Sequence, residues 1–462
     1  MNPIITANDT IHVSPHEIPA GIIQRAKARC EFDNPKYLDA QRRGRWTRSI
    51  PRTLKAWHEV GDDMITFPRG IREWLIGELS AAGINATWQS WVCAGDAVTL
   101  HFTGDLRDYQ ATAIRDMQDS MEGVAVMPTG SGKTVTACGL IAEIGRTTLI
   151  AVHTKELLRQ WREALARFLH VDAGVIGAGK MQIEPVSVAM VQTLSSMAKN
   201  NRSAFSEIQR SFGVFIMDEC HHAPAPNFNA VASRMPSARR YGLTATPRRQ
   251  DGLEGLLYAV MGPVVHEVKA ERLVDEGHVM PFTVEEVQTG WAPSVWDPEQ
   301  YHIVMEEMVC DGARNGMIAS RAVNAVLDER VPLVLTGRVE HALLLARMID
   351  AAGINVRVAV GDPKSQKPAQ RAAAIADVSD GRAECLVATT LADEGLDIPR
   401  LDTLLLATPS RGETKIAQRV GRIRRPMDGK PTPMVLDFVD QHYAFLNQAK
   451  ARRKVYKSLG VI

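Results

Sequence analysis

The segment Met127-Pro-Thr-Gly-Ser-Gly-Lys-Thr134 decides how the rest of this 462-residue sequence is interpreted. It follows the apolar run Val124-Ala-Val-Met127, which is typical of a buried strand, and it leads into a helical pattern. In such a turn, backbone N–H groups and the helix N-terminus bind phosphate oxygens. We therefore expect Lys133 to reach the β- and γ-phosphates of a nucleotide and the Thr134 hydroxyl to coordinate magnesium.

One position of this segment departs from the general phosphate-loop pattern, which begins with glycine where this chain has Met127. The remaining positions fit, and the alternative is a glycine-rich turn with an incidental lysine. The expected nucleotide ligands in the loop are Thr129, Gly130, Ser131, Gly132, Lys133 and Thr134.

A second segment, Asp218-Glu-Cys-His221, follows the apolar run Val214-Phe-Ile-Met217. A carboxylate at the end of a strand can supply the second protein anchor for magnesium, and its neighbour can orient and deprotonate a water. We expect Asp218 to bind the metal and Glu219 to act on the water. A solvated acidic pair would be the default for this segment alone, but its place downstream of the phosphate loop favours the site.

Two histidines follow these acids. His221 and His222 have no further ligand at a spacing that suits a metal site. We interpret His221 as coupling the nucleotide site to a lobe interface, and His222 as structural.

A third segment, Gln418-Arg-Val-Gly-Arg-Ile-Arg-Arg425, carries the arginines. Arg422 and Arg425 lie three apart, and we expect them on one face of a helix over residues 414–424. An arginine that meets the γ-phosphate accelerates phosphoryl transfer by roughly 10³–10⁵. A basic helix face is the alternative. The order of the three segments along the chain predicts a nucleotide site divided between two lobes. The expected catalytic residues are Lys133, Glu219, Gln418, Arg422 and Arg425.

Composition places few limits on the function. Hydrophobic residues make up 45% of the chain, charged residues 23%, and the formal net charge is +1. The six cysteines are scattered without a Cys-x-x-Cys pair, which favours reduced thiols in a cytoplasmic protein over a disulfide or zinc framework. No apolar run approaches the ~18 residues that a membrane span needs, so we expect no membrane partner.

The pattern predicts an α/β protein of about three domains. Residues 1–104 form a small α+β domain in this interpretation, with strands at 65–67 and 98–102 and a helix at 72–82. Buried parallel strands joined by helices then predict one lobe over 105–265 and a second over 266–440. Residues 441–462 are predicted to form a basic C-terminal helix, whose run at 452–454 is either a solvated face or a nucleic-acid contact.

A basic and aromatic segment lies in the predicted N-terminal domain. Between Lys36 and Lys55 there are seven basic residues and a single acid, Asp39. Such a composition suits phosphate contacts combined with stacking on an unpaired base, and a solvated helix face is the alternative. The candidate nucleic-acid contacts are Arg42, Arg43, Arg45 and Trp46.

From Leu106 onward the chain resembles the superfamily 2 helicases, most of all the branch that contains the XPB helicase, and the phosphate loop has the form common there. The segment Leu106-Arg-Asp-Tyr-Gln110 is similar to the one that reads adenine, which implies nucleotide contacts for Arg107 and Gln110. Segments 152–161 and 191–194 resemble those that hold the nucleic-acid backbone. Their implied contacts are Thr154, Lys155, Gln192 and Thr193.

The resemblance extends to the second lobe. Residues 336–341 and 388–397 are similar to segments that imply nucleic-acid contacts for Arg338 and Thr389, and nucleotide contacts for Gly395 and Asp397. Residues 243–247 resemble the segment that couples hydrolysis to lobe closure. Gln250 stands where the branch carries an acid, which weakens a strand-opening role for residues 249–251.

The resemblance implies two RecA-like lobes and an ATP-dependent DNA helicase or translocase that moves 3′ to 5′ in repair, recombination or replication. It implies ATP and Mg²⁺ as cofactors and duplex, forked or single-stranded DNA as partner, with a nuclease or repair protein as a candidate further partner. An RNA helicase stays open because both polymers share the phosphate backbone. An ATP-gated clamp is a non-catalytic alternative, and a restriction-type motor is disfavoured because no room remains for a nuclease domain.

Overall fold

The computed structural model describes residues 2–246, 251–362, 365–389, 396, 398–410 and 412–461, apart from the side chain of Pro298. The chain forms two compact units. The first comprises Met1–Pro128 and Gly132–Val268, and the second comprises Thr129–Ser131 and Lys269–Ile462. The predicted fold class, parallel-sheet lobes in tandem after a small α+β domain, is confirmed, while the predicted domain boundaries stay predictions.

The N-terminal part of the first unit is built on a five-stranded sheet in the order β5-β6-β2-β1-β7, with β3 and β4 as a separate pair. Its elements are β1 Ile4–Ala7, β2 Thr10–Val13, α1 Ala20–Arg29, β3 Glu31–Asp33, α2 Pro35–Arg42, β4 Thr53–Lys55, β5 His58–Val60, β6 Met64–Pro68, α3 Arg72–Ala81 and β7 Thr87–Ser90. The strand predicted at 65–67 and the helix predicted at 72–82 are confirmed.

The strand predicted at 98–102 is wrong. No regular strand forms in this stretch. Its backbone and that of the next residue bond instead to the carboxyl ends of two helices, which end at Ile144 and Leu169. Val98 N–H donates to Gly145 O at 2.9 Å, and Thr103 N–H donates to Phe168 O at 2.9 Å. The half-buried and exposed residues that alternate over 98–102 therefore belong to a segment that bonds to helix ends and not to a strand.

The rest of the first unit is an eight-stranded sheet in the order β11-β10-β12-β9-β13-β14-β8-β15, parallel except for the β10–β11 hairpin. Its six inner strands are buried because helices cover both faces, which is why they read as continuous apolar runs, while the edge strands β11 and β15 are more exposed. Its elements are α4 Asp108–Asp119, β8 Glu122–Val126, α5 Lys133–Ile144, β9 Thr148–Val152, α6 Lys155–Leu169, β10 Gly174–Gly177, β11 Lys180–Gln182, β12 Val186–Met190, α7 Val191–Asn200, α8 Arg202–Ser211, β13 Val214–Asp218, α9 Pro226–Ala232, β14 Arg239–Thr244, α10 Glu254–Met261 and β15 Val264–Glu267.

A buried arginine joins the two sheets of the first unit. Arg69, 3% exposed, forms an ion pair with Glu122 at 2.9 Å and donates to the carbonyl oxygens of Ser237 and Ala238. Burial raises the pKa of Glu122 and lowers the pKa of Arg69, against the attraction between them. Glu122 begins β8 and Ala238 directly precedes β14, so the N-terminal part is fixed to the amino ends of these strands.

The second unit contains a six-stranded, wholly parallel sheet in the order β16-β21-β20-β17-β19-β18. Helices again cover its two apolar faces. Its elements are α11 Ala270–Asp275, β16 Thr283–Gln288, α12 Tyr301–Cys310, α13 Gly312–Leu327, β17 Pro332–Thr336, α14 Val339–Asp350, β18 Val356–Ala359, α15 Pro368–Ser379, β19 Cys385–Thr389, β20 Thr403–Leu406, α16 Glu413–Ile423, β21 Met434–Val439 and α17 Tyr443–Ser458.

The C-terminal helix α17 packs into this unit's core, and its basic run is a solvated face only in part, because Arg453 and Lys454 are exposed whereas Arg452 is buried. Arg452 is 2% exposed and donates to Asp437 on β21, which also accepts from the Tyr456 hydroxyl at 3.0 Å. Arg453 pairs with Glu286 on β16. Charge alone did not distinguish a buried ion pair from a solvated face, because the acidic partners are remote in sequence.

The Arg69–Glu122 pair yields a stability prediction. Replacing Arg69 by Met leaves the Glu122 carboxylate buried without its countercharge, so we expect the first unit to lose about 3–5 kcal/mol of unfolding free energy. Urea denaturation followed by circular dichroism measures this loss. Arg25→Met is the matched control because its partner Glu78 lies at the surface, and it should cost about 0–1 kcal/mol. Equal losses in the two variants would contradict a buried, structural pair.

Candidate nucleotide site and nucleic-acid-binding segments

Three neighbouring parallel strands of the first unit bring the predicted catalytic segments to one edge of the sheet. β13 pairs with β14, and β14 pairs with β8. β8 ends before the phosphate loop, β13 ends at Asp218, and β14 ends at Thr244. Because the carboxyl ends of parallel strands meet at the same edge, the loop and the acidic pair face the same space.

The phosphate loop has the backbone conformation that its glycines allow. Gly130 and Gly132 have φ angles of 89° and 79°, in the left-handed region that side chains disfavour. A Cβ atom at Gly132 would also lie 2.5 Å from Nε2 of Gln110, so only glycine fits there. Lys133 begins α5, and its Nζ donates to Met127 O at 3.3 Å, which places the ammonium over the loop.

Gln110 and Arg107 stand at the start of α4, beside this loop. Gln110 is 3% exposed, and its Oε1 accepts from the backbone N–H of Arg107 at 2.9 Å. The Arg107 guanidinium donates to the Tyr109 hydroxyl at 2.9 Å. The amide of Gln110 is therefore held in one orientation against Gly132, as a residue that reads a base edge requires.

Asp218 is oriented by a tryptophan. The indole Nε1–H of Trp161 on α6 donates to Asp218 Oδ2 at 2.8 Å, and the Glu219 N–H donates to Oδ1 at 2.9 Å. Burial and the adjacent negative charge of Glu219 raise the pKa of Asp218, against the Trp161 hydrogen bond and the charge of Lys133. A cation at this edge would relieve the raised pKa, since it favours the ionised form.

Glu219 differs from Asp218 in its backbone conformation and in the direction of its pKa shift. It has φ 48° and ψ 49°, a left-handed conformation that is uncommon outside glycine and often marks a functional site. Burial alone would raise its pKa, but Lys133 and His221 outweigh burial and lower the pKa to about 2. Its Oε2 lies 3.2 Å from Nδ1 of His221, and that nitrogen also lies 3.1 Å from the Thr244 hydroxyl.

The protein groups at this edge fit Mg²⁺ bound together with a nucleotide. The candidate ligands are the Thr134 hydroxyl and the Asp218 carboxylate, both oxygens, as a hard cation prefers. Among the described residues no group of three or more histidines, cysteines or acids could hold a metal by itself. Mg²⁺ usually keeps several waters and takes the remaining ligands from substrate phosphates, so two protein oxygens are sufficient.

The two segments assigned to nucleic acid in the first unit are joined by one hydrogen bond. Gln192, at the start of α7, donates from Nε2 to the carbonyl oxygen of His153 at 2.9 Å. The next residue, Thr154, caps α6 by accepting from the Leu157 N–H at 3.2 Å. Lys155 is exposed and Thr193 is half-buried. Their contact with a phosphate backbone stays a prediction.

In the second unit, the expected nucleic-acid contacts are engaged within the protein. Arg338 caps α14 and donates to His302 O at 3.0 Å. Thr389 is 4% exposed, and its hydroxyl accepts from the Gly361 N–H at 3.1 Å. For Thr389 to contact a nucleic-acid strand, its hydroxyl would have to become exposed.

The arginine segment differs from its predicted geometry. Gln418 and Arg422 lie on α16, and Arg422 Nη1 donates to Leu396 O at 2.8 Å. Arg425 lies beyond Ile423, where α16 ends, so it does not share a helix face with Arg422. Arg424 ends the helix instead: it is buried, donates to Met280 O and packs on the Phe282 ring. Burial lowers the pKa of Arg425.

Several sequence-predicted positions lie outside the described residues. These are Gly395 and Asp397 of the expected nucleotide set, residues 249–250 of the branch triplet, and Pro247.

The basic segment of the N-terminal part is exposed. Arg42 ends α2, and Arg43 donates to Asp39 at 3.0 Å, which neutralises part of its charge. Arg45 is exposed, and the Trp46 side chain is 72% exposed with the Arg48 guanidinium 5.7 Å from its ring centre. An exposed tryptophan among arginines is available to stack on a base.

Sequence reasoning missed two features of the nucleotide site. Trp161 was placed in a nucleic-acid segment, whereas it orients Asp218. The ring of His222, interpreted as structural, lies between His221 and His153. A signal for Trp161 was present: it falls on the apolar stripe of α6 with Leu158 and Leu165, and a buried indole N–H needs an acceptor.

None of the helices in the described part of the chain has the length and apolar character needed to cross a bilayer.

Two protein-family models match the chain. Residues 103–249 match the type III restriction enzyme res subunit family, and residues 322–427 match the helicase conserved C-terminal domain. The first match covers the phosphate loop and the acidic pair, and the second covers the arginine segment.

Named relatives match about three quarters of the chain. The chain is 31% identical to the putative DNA 3′-5′ helicase Rad25 of Haloarcula marismortui over 72% of this chain and 52% of that protein. It is 25% identical to the DNA 3′-5′ translocase XPB2 of Sulfurisphaera tokodaii over 76% of this chain and 85% of that protein. The chain spans about half the length of the first of these relatives.

The chain shares its fold with solved structures. The ATP-dependent type ISP restriction-modification enzyme LlaBIII bound to DNA superimposes with a TM-score of 0.59 at 16% identity, over 78% of this chain and 30% of that one.

The Trp161–Asp218 hydrogen bond yields a prediction. Trp161→Phe keeps a ring in the core but removes the donor, so we expect the Mg²⁺ concentration for half-maximal nucleotide hydrolysis to rise by about tenfold. Trp57→Phe is the matched control, because it also removes an indole hydrogen bond to a carboxylate, that of Glu31, in the N-terminal part. An unchanged Mg²⁺ requirement in Trp161→Phe would contradict a role in orienting Asp218.

Proposed function

The chain belongs to the superfamily 2 helicases, in the branch of the XPB and Rad25 helicases, and we propose that it is an ATP-dependent DNA helicase or translocase. The observation that carries the proposal is the meeting of the phosphate loop, Asp218 and Glu219 at one edge of three paired parallel strands. A nucleotide whose phosphates occupy the loop would present its γ-phosphate to both carboxylates.

The residues of this edge would divide the hydrolytic work. Lys133 and the loop N–H groups hold the β- and γ-phosphates, and Gln110 holds the base. Thr134 and Asp218 would hold Mg²⁺, which when bound neutralises charge on the phosphate oxygens. Glu219, whose low pKa keeps it ionised at neutral pH, accepts a hydrogen bond from the attacking water and orients it.

The second unit contributes to this proposal through its sequence pattern. Gln418, Arg422 and Arg425 are the proposed residues that respond to the γ-phosphate during turnover. Gly395 and Asp397 are the proposed further nucleotide contacts. Arg338 and Thr389 are the proposed nucleic-acid contacts of this unit.

The polymer and direction are proposed from the relatives. The names of the two relatives specify DNA and 3′-5′ movement. We propose the same for this chain, in the cytoplasm, acting in repair, recombination or replication beside a nuclease or repair protein. Displacement of a labelled strand from duplexes with a 3′ or a 5′ tail tests the direction. Displacement only from the 5′-tailed duplex would refute the 3′-5′ assignment.

Two substitutions separate nucleotide binding from hydrolysis. Lys133→Ala removes the charge that holds the phosphates, so hydrolysis should fall below about 1% of wild type and ATP affinity should also fall. Glu219→Gln should keep ATP affinity, lose turnover to a similar extent, and trap the protein on DNA. Steady-state hydrolysis and fluorescent-nucleotide binding measure these effects. Normal turnover in Glu219→Gln would exclude Glu219 as the residue that acts on the water.

The N-terminal basic segment yields a separate prediction about DNA affinity. Because the N-terminal part is fixed to the larger sheet through Arg69, point substitutions are preferable to a deletion. Replacing Arg42, Arg43 and Arg45 by Gln should flatten the slope of log affinity against log salt by about 2, at roughly 0.9 for each phosphate that is no longer neutralised. We expect a change of about 2 in this slope, and not about 3, because Arg43 is already paired with Asp39.

Trp46→Ala tests stacking in the same segment. It should weaken single-strand binding by about 1–3 kcal/mol with almost no change in salt slope. Replacing Arg202 and Arg210, exposed arginines of α8, by Gln serves as a charge control. If the Arg202 and Arg210 variant flattens the salt slope as much as the Arg42, Arg43 and Arg45 variant does, the N-terminal basic segment is a solvated face.

A further inference from the structure

A row of histidine rings in contact begins at the proposed catalytic carboxylate. Glu219 lies 3.2 Å from His221, whose ring is held in the short 3₁₀ turn Cys220–His222 and is 7% exposed. The His221 ring also contacts the Thr244 hydroxyl at 3.1 Å. The orientation of this imidazole therefore depends on the carboxylate.

The row continues through His222 to His153. The ring centres of His221 and His222 are 4.1 Å apart, and those of His222 and His153 are 4.8 Å apart, with interplanar angles of 39° and 57°. Phe228 on α9 packs against both, 5.2 Å from His222 and 6.0 Å from His153. Rings at these distances are in direct contact, so a displacement of one displaces the next.

At its far end the row reaches both nucleic-acid segments of the first unit. The carbonyl oxygen of His153 accepts from Gln192, and the adjacent Thr154 caps α6. His153 is therefore the point where the segments 152–155 and 191–194 are tied together. A shift of its ring would move the backbone that presents Thr154 and Lys155.

We infer that His222 is a positioning residue, which transmits the state of Glu219 and His221 through the His153 ring to the nucleic-acid-binding segments. The inference rests on the proposed function, and it differs from the interpretation of His222 as structural. The ring of His222 packs directly on those of His221 and His153, so its influence on hydrolysis and on nucleic acid passes through these two residues.

The test measures how strongly single-stranded DNA stimulates ATP hydrolysis. His222→Ala should lower the stimulation ratio about 3- to 30-fold, the range that residues along a coupling path produce, through kcat rather than the KM for ATP. His222→Phe restores a ring and should retain more than half of the stimulation. A merely structural role would instead reduce hydrolysis with and without DNA in the same proportion.

His266→Ala is the matched control. His266 lies in the same unit, is as buried as His221 and contacts a carboxylate, Asp116 at 2.7 Å, but it stands on β15 at the sheet edge. It should leave the stimulation ratio within about twofold of wild type. If His266→Ala lowers the stimulation ratio as much as His222→Ala does, the inference is overturned, because the loss of any buried imidazole would then have the same effect.

A double-mutant cycle with Gln192→Ala closes the test. If His222 and Gln192 both act through His153, the effect of the double substitution on the stimulation ratio should differ from the product of the two single effects by about threefold or more. Additivity would overturn the inference while leaving the proposed function intact. Absence of DNA stimulation in the wild-type protein would instead overturn the proposed function, and the inference with it.

Discussion

The parallel pairing of β13, β14 and β8 is the constraint on which the rest of the first unit depends. Backbone hydrogen bonds set the register in which Asp218 stands opposite Leu243 and Leu243 stands opposite Ala125. That register brings the end of β13 beside the phosphate loop, although Asp218 and Lys133 are remote in sequence. The charge of Lys133 then lowers the pKa of Glu219, and the indole of Trp161 fixes Asp218.

The same strands are fixed at their other ends by buried charges. Arg69 and Glu122 join the N-terminal part to β8, and Arg240, fully buried on β14, donates to the carbonyl oxygens of Ala232 and Val260. Breaking such a pair leaves a charge without compensation in a medium of low polarity. The strands that carry the nucleotide site at their carboxyl ends are thus held at their amino ends by the N-terminal part.

Helices and strands with strong local signals could be predicted from the sequence. The roles of side chains whose partners are remote in sequence could not. β9 at Thr148–Val152 and β20 at Thr403–Leu406 match the apolar runs, because strands buried on both faces need continuous apolar residues. The phosphate loop was recognisable because its glycines are required by backbone geometry. The roles of Trp161 and Arg452 depended on Asp218 and Asp437, whose proximity only the fold creates. The stretch at 98–102 had strand-like polarity, but its backbone bonds to helix ends instead of a neighbouring strand.

The central claim is that this edge hydrolyses ATP in response to DNA. The most direct measurement is ATP hydrolysis by the full chain with single-stranded DNA, duplex DNA, forked DNA and RNA in parallel, at equal nucleotide concentration and salt. The account predicts that kcat rises with at least one form of DNA well above its value with RNA. Hydrolysis that is stimulated by RNA alone, or by none of the four polymers, would contradict it.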